Sequence, residues 1–291
     1  MGHCHATQLE GRAVLRVSAP DARNFLQGLI TNDIGKTDRG KAIHTGLLSP
    51  QGKVLFDFFV IVHDRAFLID AAADKAEELR KRLGFYRLRA DVQIEAEPSL
   101  EVLAAWGGTP QAPERVIVYA DPRLPELGVR LLVPNHLDAA DLGCEPASEE
   151  DYHAMRIGFG VPEGGRDYAF GDAFPHEALF DQLNGVDFTK GCYVGQEVVS
   201  RMEHRGTARK RIIRIDGAMP LPAAGTSVEA DGVPIGTLGS VSGRSGLAMI
   251  RLDRAETAAA IGKTLTAGGV AVALHRPGFA QFAVPLTEGG I

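Results

Sequence analysis

Residues Arg12 to Ser18 alternate apolar and polar positions around Val14, Leu15 and Val17, the period-two signature of a half-buried strand. Ser18, Pro20 and Asp21 follow as a helix start, with proline early and a carboxylate in the first turn. Phe25, Leu26, Leu29 and Ile30 recur at helical spacing, so this helix has one buried face. Thr31-Asn32-Asp33-Ile34-Gly35 ends it; Asn32 and Asp33 are turn formers by their own chemistry. Ala42 to Ser49 and Val54 to Val62 are apolar runs joined by Pro50-Gln51-Gly52-Lys53, which predicts a hairpin.

A strand from Ala66 to Asp70 leads into a helix from Asp74 to Leu83, with Ala76, Leu79 and Leu83 as its inner stripe. Tyr86-Arg87-Leu88-Arg89-Ala90 introduces a strand through Ile94, and short strands follow near Leu100 to Trp106, Val116 to Tyr119 and Gly128 to Val133. Strands and occasional helices without regular alternation indicate an α+β fold, not a doubly wound sheet. Ser148 and Asp151 predict the cap of a helix carrying Tyr152, Met155 and Ile157. Residues 158–188 are rich in glycine, proline, aspartate and aromatics. Phe159, Tyr168, Phe170, Phe174 and Phe180 argue for an ordered loop, because disordered segments are poor in aromatics. Beyond Gly206, short strands at Arg211 to Ile215, Ser227 to Ala230, Ile235 to Val241, Leu247 to Ile250 and Val270 to Leu274 read as a small barrel or sandwich. One helix, Arg254 to Ile261, interrupts them.

One position breaks the apolar pattern. Asp57 shares a strand face with Leu55, Phe59 and Ile61, while Phe56, Phe58, Val60 and Val62 fill the other. A carboxylate in such a strand is costly without a partner. Either an arginine pairs with it or it is held for the N–H groups of a ligand.

The chain has 291 residues, 45% hydrophobic and 23% charged, the profile of a soluble globular protein of roughly two domains. Its net charge of -6 argues against a surface built wholly for nucleic acid. Two basic clusters stand out locally: Lys190, Arg201, Arg205, Arg209, Lys210, Arg211 and Arg214, and Arg80, Lys81, Arg82, Arg87 and Arg89. They read as solvated faces, or as a platform for a polyanion such as RNA. Cys4, Cys144 and Cys192 are widely separated and odd in number, so no disulfide framework is expected. His3-Cys4-His5 has metal-binding residue types but reads as a frayed end. With no long apolar run near the start and none approaching about 20 residues, no membrane contact is expected and the chain reads as cytoplasmic.

The chemistry concentrates in Lys190-Gly191-Cys192-Tyr193-Val194-Gly195-Gln196-Glu197, followed by Arg201 and Arg205-Gly206. A lysine before a cysteine and a helix after it both favour thiolate. The alternative is a tight turn in which Gly191 and Gly195 serve the backbone and Cys192 is a small filler.

This run resembles the signature of the YgfZ family, folate-binding proteins related to the aminomethyltransferase (T protein) of the glycine cleavage system. The resemblance implies two α+β domains and a C-terminal β-barrel around a central folate-binding hole. Its expected boundaries are a folate-binding region over 1–205 (subdomains of about 1–45 with 145–205, and 46–144) and a barrel over 206–291. It further implies that Asp57, Glu177 (in Phe-Pro-His-Glu-Ala) and Arg201 hold tetrahydrofolate or a one-carbon-substituted folate. Cys192, activated by Lys190, would be the reactive group. The implied role is assembly or repair of iron–sulfur clusters in client enzymes, including radical enzymes that modify tRNA. The implied partners are those clients or cluster-assembly proteins. The alternatives are a folate-dependent aminomethyltransferase of the T-protein type and a non-catalytic folate-sensing adaptor.

Overall fold

The computed structural model describes residues 3–38, 40–135, 137–206 and 208–285. Its contacts divide the chain into two compact units, Met1–Tyr152 with Leu183–Gln196, and His153–Gln182 with Glu197–Ile291.

The first unit contains two five-stranded sheets. Strands β1 (His5–Gln8), β2 (Arg12–Ser18), β3 (Ala42–Leu48), β4 (Val54–His63), β5 (Ala66–Ala72), β6 (Gln93–Ala96), β7 (Leu100–Trp106), β8 (Ile117–Ala120), β9 (Val129–Pro134) and β10 (Glu145–Pro146) divide between them. One sheet has the order β3-β4-β5-β2-β6, the other β10-β1-β7-β9-β8. Helix α1 (Ala22–Gln27) follows β2, and α2 (Ala73–Tyr86) follows β5. The expected stripe of α2 is its buried face, with Leu79 and Leu83 fully covered. It packs in one core with Leu15, Leu26, Leu47, Phe58 and Ile69.

The second unit holds a closed barrel in the order β11-β14-β13-β12-β15-β16. Its strands are β11 (Lys210–Gly217), β12 (Ser227–Ala230), β13 (Val233–Ser242), β14 (Ser245–Arg251), β15 (Leu265–Ala267) and β16 (Val270–His275). Closure removes the open sheet edges that would otherwise invite pairing with another chain. Helices α3 (Glu149–Phe159), α4 (Gln196–Arg205) and α5 (Leu252–Ala260) complete the set. Ser148 and Asp151 cap α3 reciprocally: the Asp151 amide donates to Ser148 Oγ at 3.1 Å and the Ser148 amide to Asp151 Oδ2 at 3.0 Å.

The N-terminal stretch is not frayed: β1 pairs antiparallel with β7 and parallel with β10, and Cys4 is bonded to Cys144 at 2.05 Å. Around residue 45, β3 and β4 are hydrogen-bonded neighbours with Gly46 opposite Asp57. The chain passes from one sheet to the other between β1 and β2 and back again between β6 and β7. Finally, the loop after α3 groups with the barrel. Arg156, fully buried, donates to Asp167 at 2.7 Å and to Ser240 Oγ on β13 at 2.7 Å. Tyr168 and Phe180 are buried, so the aromatics order this loop as expected.

Candidate functional site

Asp187 builds the turn that leads into the cysteine loop. Its Oδ1 accepts from the Thr189 amide and hydroxyl, both at 2.7 Å, and from the Lys190 amide at 3.2 Å. Burial alone would raise this carboxyl, but Thr189 and Lys36 hold it down at about 2. Lys36 lies 2.9 Å from its other oxygen.

Lys190 is buried, and Nζ donates to the carbonyls of Gln27 (2.8 Å), Ile30 (2.6 Å) and Asn32 (2.9 Å). These are oxygens that the end of α1 and the following turn leave unpaired. An ammonium has three hydrogens, and all are committed here. None is left for the Cys192 thiol, so Lys190 anchors the loop. Burial lowers its pKa to about 8, against the pull of Asp33 and Asp187. Its charge also sits 5.2 Å from the Tyr193 ring centroid.

Cys192 is exposed, and it is the free cysteine of the chain. Helix α4 begins only at Gln196, so Cys192 sits on the loop ahead of it and not at its first turn. The two glycines that flank the cysteine differ. Nothing lies within 4 Å of a Cβ placed on Gly191. Gly195 has φ +82°, and a Cβ there would meet the Ser49 carbonyl oxygen at 2.6 Å and Gly52 Cα at 3.1 Å, both in the β3–β4 turn. Gly195→Ala is therefore expected to destabilise the protein by roughly 1–3 kcal/mol, while Gly191→Ala leaves it unchanged. Urea unfolding of the two variants reads the contrast; equal stabilities would contradict it.

Asp57 lies half-buried on β4, opposite Gly46. Its charge reaches His44, a buried imidazole on β3 whose pKa falls to about 4 through burial first and Arg123 second. His44 is neutral at pH 7, and its Nδ1 lies 3.2 Å from the Leu183 carbonyl.

Glu177 and Arg201 belong to the second unit, whereas Asp57, Lys190 and Cys192 belong to the first. Glu177 Oε2 accepts from the Phe174 amide at 2.8 Å. The side chain lines a cavity of about 420 Å³ shared with Arg166, Tyr168, Asp172 and Lys210. That volume lies within the range of small-molecule sites, and a carboxylate can accept the paired N–H groups of a pterin edge. Arg201 is exposed and pairs with Glu197 one helical turn back, at 2.6 Å. The basic cluster around it is dispersed: Lys190 and Arg211 are buried, Arg214 pairs with Asp216 at 2.7 Å, and Arg205, Arg209 and Lys210 remain exposed.

Sequence reasoning missed the densest charged group of the first unit. Asp70 on β5, fully buried, accepts from Arg12 Nε (2.6 Å), Tyr119 Oη (2.8 Å) and Arg130 Nη1 (2.8 Å). Arg130 also reaches Asp121 at 3.3 Å and the Tyr152 hydroxyl at 2.9 Å, and Arg123 pairs with Asp121 at 2.7 Å. All three guanidiniums lie over the Phe59 ring, Arg130 at 4.3 Å. Burial opposes both carboxylates, yet the arginines hold both below the usual range. A charge inside an apolar strand was the available signal, and it was read only at Asp57.

A single chain of two sheets and a closed barrel is the aminomethyltransferase T fold. Aminomethyltransferase T of the glycine cleavage system from Bartonella henselae matches with a TM-score of 0.76 at 16% identity, covering 96% of this chain and 87% of that one. Residues 209–282 match the family described as CAF17, C-terminal beta-barrel domain. The human iron-sulfur cluster assembly factor IBA57, mitochondrial, is 35% identical over 271 residues, spanning 84% of this chain and 76% of its own. The mouse protein is 35% identical over 278 residues, with 84% and 77% covered. The Neurospora crassa homologue is 36% identical over 246 residues, with 75% and 56% covered.

The chain belongs to the IBA57 family of iron–sulfur cluster assembly factors. The resemblance to YgfZ thus holds at the level of an aminomethyltransferase-like cluster-assembly family, and these relatives give that family its name. The cytoplasmic expectation is overturned, because the relatives are named as mitochondrial proteins. Among the described residues no helix is long and apolar enough to cross a membrane, but that carries no information about compartment.

Proposed function

We propose that this protein is an iron–sulfur cluster assembly factor that binds tetrahydrofolate or a one-carbon-substituted folate and offers Cys192 to the cluster or its sulfur during delivery to client enzymes. Radical enzymes that modify tRNA are among the proposed clients. The observation that carries the reading is the exposed thiol of Cys192 on a loop pinned on one side by Lys190 and on the other by Gly195. An exposed cysteine on a fixed loop suits transient ligation. Clusters are ordinarily held by four thiolates, so the remaining ligands come from a partner protein or a small thiol.

The folate half of the proposal rests on the fold and on the chemistry of Glu177 and Asp57. The Glu177 cavity has the size and polarity for a pterin, with Lys210 beside it for negative charge. Asp57 is a half-buried carboxylate of the kind that accepts ring N–H groups, and Arg201 is the exposed cation proposed for the glutamate tail. Calorimetric titration with tetrahydrofolate tests this. Glu177→Gln is expected to weaken binding by about 1.5–3 kcal/mol, the scale of a hydrogen bond to a charged group, and Asp57→Ala to weaken it as well. Affinity unchanged in both variants would remove them from the site, and no binding by the folded wild type would remove folate from the proposal.

A further inference from the structure

The second unit contains a group of side chains that neither the folate nor the cysteine chemistry uses. His176 is 2% exposed; Asp181 follows it in the same loop, and Glu203 projects from α4. One ligating atom from each lies within 4.8 Å of the others. We infer that His176, Asp181 and Glu203 form a binding site for one divalent transition-metal ion.

The donors are already oriented. Arg211 Nη1 and Nη2 reach the two oxygens of Asp181, each at 2.9 Å, and Nη1 also donates to the His176 carbonyl at 3.0 Å. The arginine therefore fixes both members of the loop at once. Asp181 Oδ2 additionally accepts from Gln182 Nε2 at 2.8 Å, which leaves Oδ1 with the lighter load. A carboxylate oxygen accepts at two positions, so Oδ1 retains one for an ion. His176 Nε2 points at Glu203 Oε2 across 3.0 Å. Glu203 is only an acceptor, so the hydrogen between them belongs to the imidazole; an ion taken by Nε2 shifts it to the other ring nitrogen, and the imidazole stays neutral.

The charge balance favours a cation. Two carboxylates face one guanidinium, and with a neutral imidazole the group carries one net negative charge. Imidazole nitrogen with two carboxylate oxygens suits Zn²⁺, Fe²⁺ or Mn²⁺, whereas soft Cu⁺ prefers sulfur. The Glu203 side chain is 44% exposed, which gives the ion a path from solvent. An ion here ties the loop that carries Glu177 to α4. The inference stands independently of folate binding.

The test is calorimetric titration of the chelator-treated full chain with ZnCl₂, repeated with MnCl₂. One saturable equivalent is expected in the wild type, with affinity at least 10-fold weaker in Glu203→Gln and in His176→Ala. Because His176 is buried and its alanine variant can fail to fold, the half-exposed Glu203→Gln is the deciding variant. Glu145→Gln, which alters the exposed histidines His3 and His5 instead, should leave that equivalent intact. Absence of saturable binding, or equal affinity in the wild type and Glu203→Gln, overturns the site.

Discussion

Replacing Asp70 with alanine is expected to destabilise the protein by about 3–5 kcal/mol, the cost of removing one partner from a buried ion pair. Asp70 is fully buried and accepts charged hydrogen bonds from Arg12 and Arg130 as well as the hydroxyl of Tyr119. Without it, Arg12, Arg123 and Arg130 face Asp121 as the remaining carboxylate of the network. Because Asp70 and Arg12 lie in one sheet and Tyr119 and Arg130 in the other, the loss weakens the join between the sheets as well as the local pair. Asp70→Asn keeps the shape and tests the charge alone; it should fall between wild type and alanine. Urea unfolding measures both, and an alanine variant within about 1 kcal/mol of wild type would contradict the network.

Opening the Cys4–Cys144 bond is the second large effect. The bond closes 140 residues of sequence and fixes β1, the strand between β10 and β7. On the chain-entropy view, a loop of that length restrains the unfolded state by about 5 kcal/mol. Cys144→Ser, or mild reduction of the wild type, should therefore lower the unfolding midpoint strongly. Alkylation of the unreduced, denatured chain followed by mass analysis should find one thiol, that of Cys192. Three thiols, with no change of midpoint on reduction, would contradict the pairing.

The missing disulfide shows where the sequence stopped being legible. Cysteine pairing over such a span leaves no spacing signal. Strands β1, β10 and β15 are too short to carry a period, and they exist because a neighbouring edge offers hydrogen bonds. Longer elements were readable: the β3–β4 hairpin from its two apolar runs, α2 from Ala76, Leu79 and Leu83, and most of the barrel from strands punctuated by glycine and proline. The cysteine motif was legible as a motif but not as a device. Lys190 acts through backbone oxygens of Gln27, Ile30 and Asn32, and a backbone oxygen has no residue type to recognise. Gly195 could be suspected of a backbone role, but its contact with the β3–β4 turn follows only from the fold. Asp57 was noticed because a charge interrupts an apolar strand, and the same rule applied to Asp70 and Arg130 points to the buried network.

The most direct measurement is the iron and sulfide content of a cluster-dependent enzyme purified from cells whose only copy of this protein carries Cys192→Ser, compared with wild-type and deletion strains. Since Cys192 is exposed and makes no structural bond, the variant should accumulate normally while the client's cluster content falls to the deletion level. Wild-type cluster content in the Cys192→Ser strain would contradict the role assigned to the thiol and return the cysteine loop to a purely structural reading.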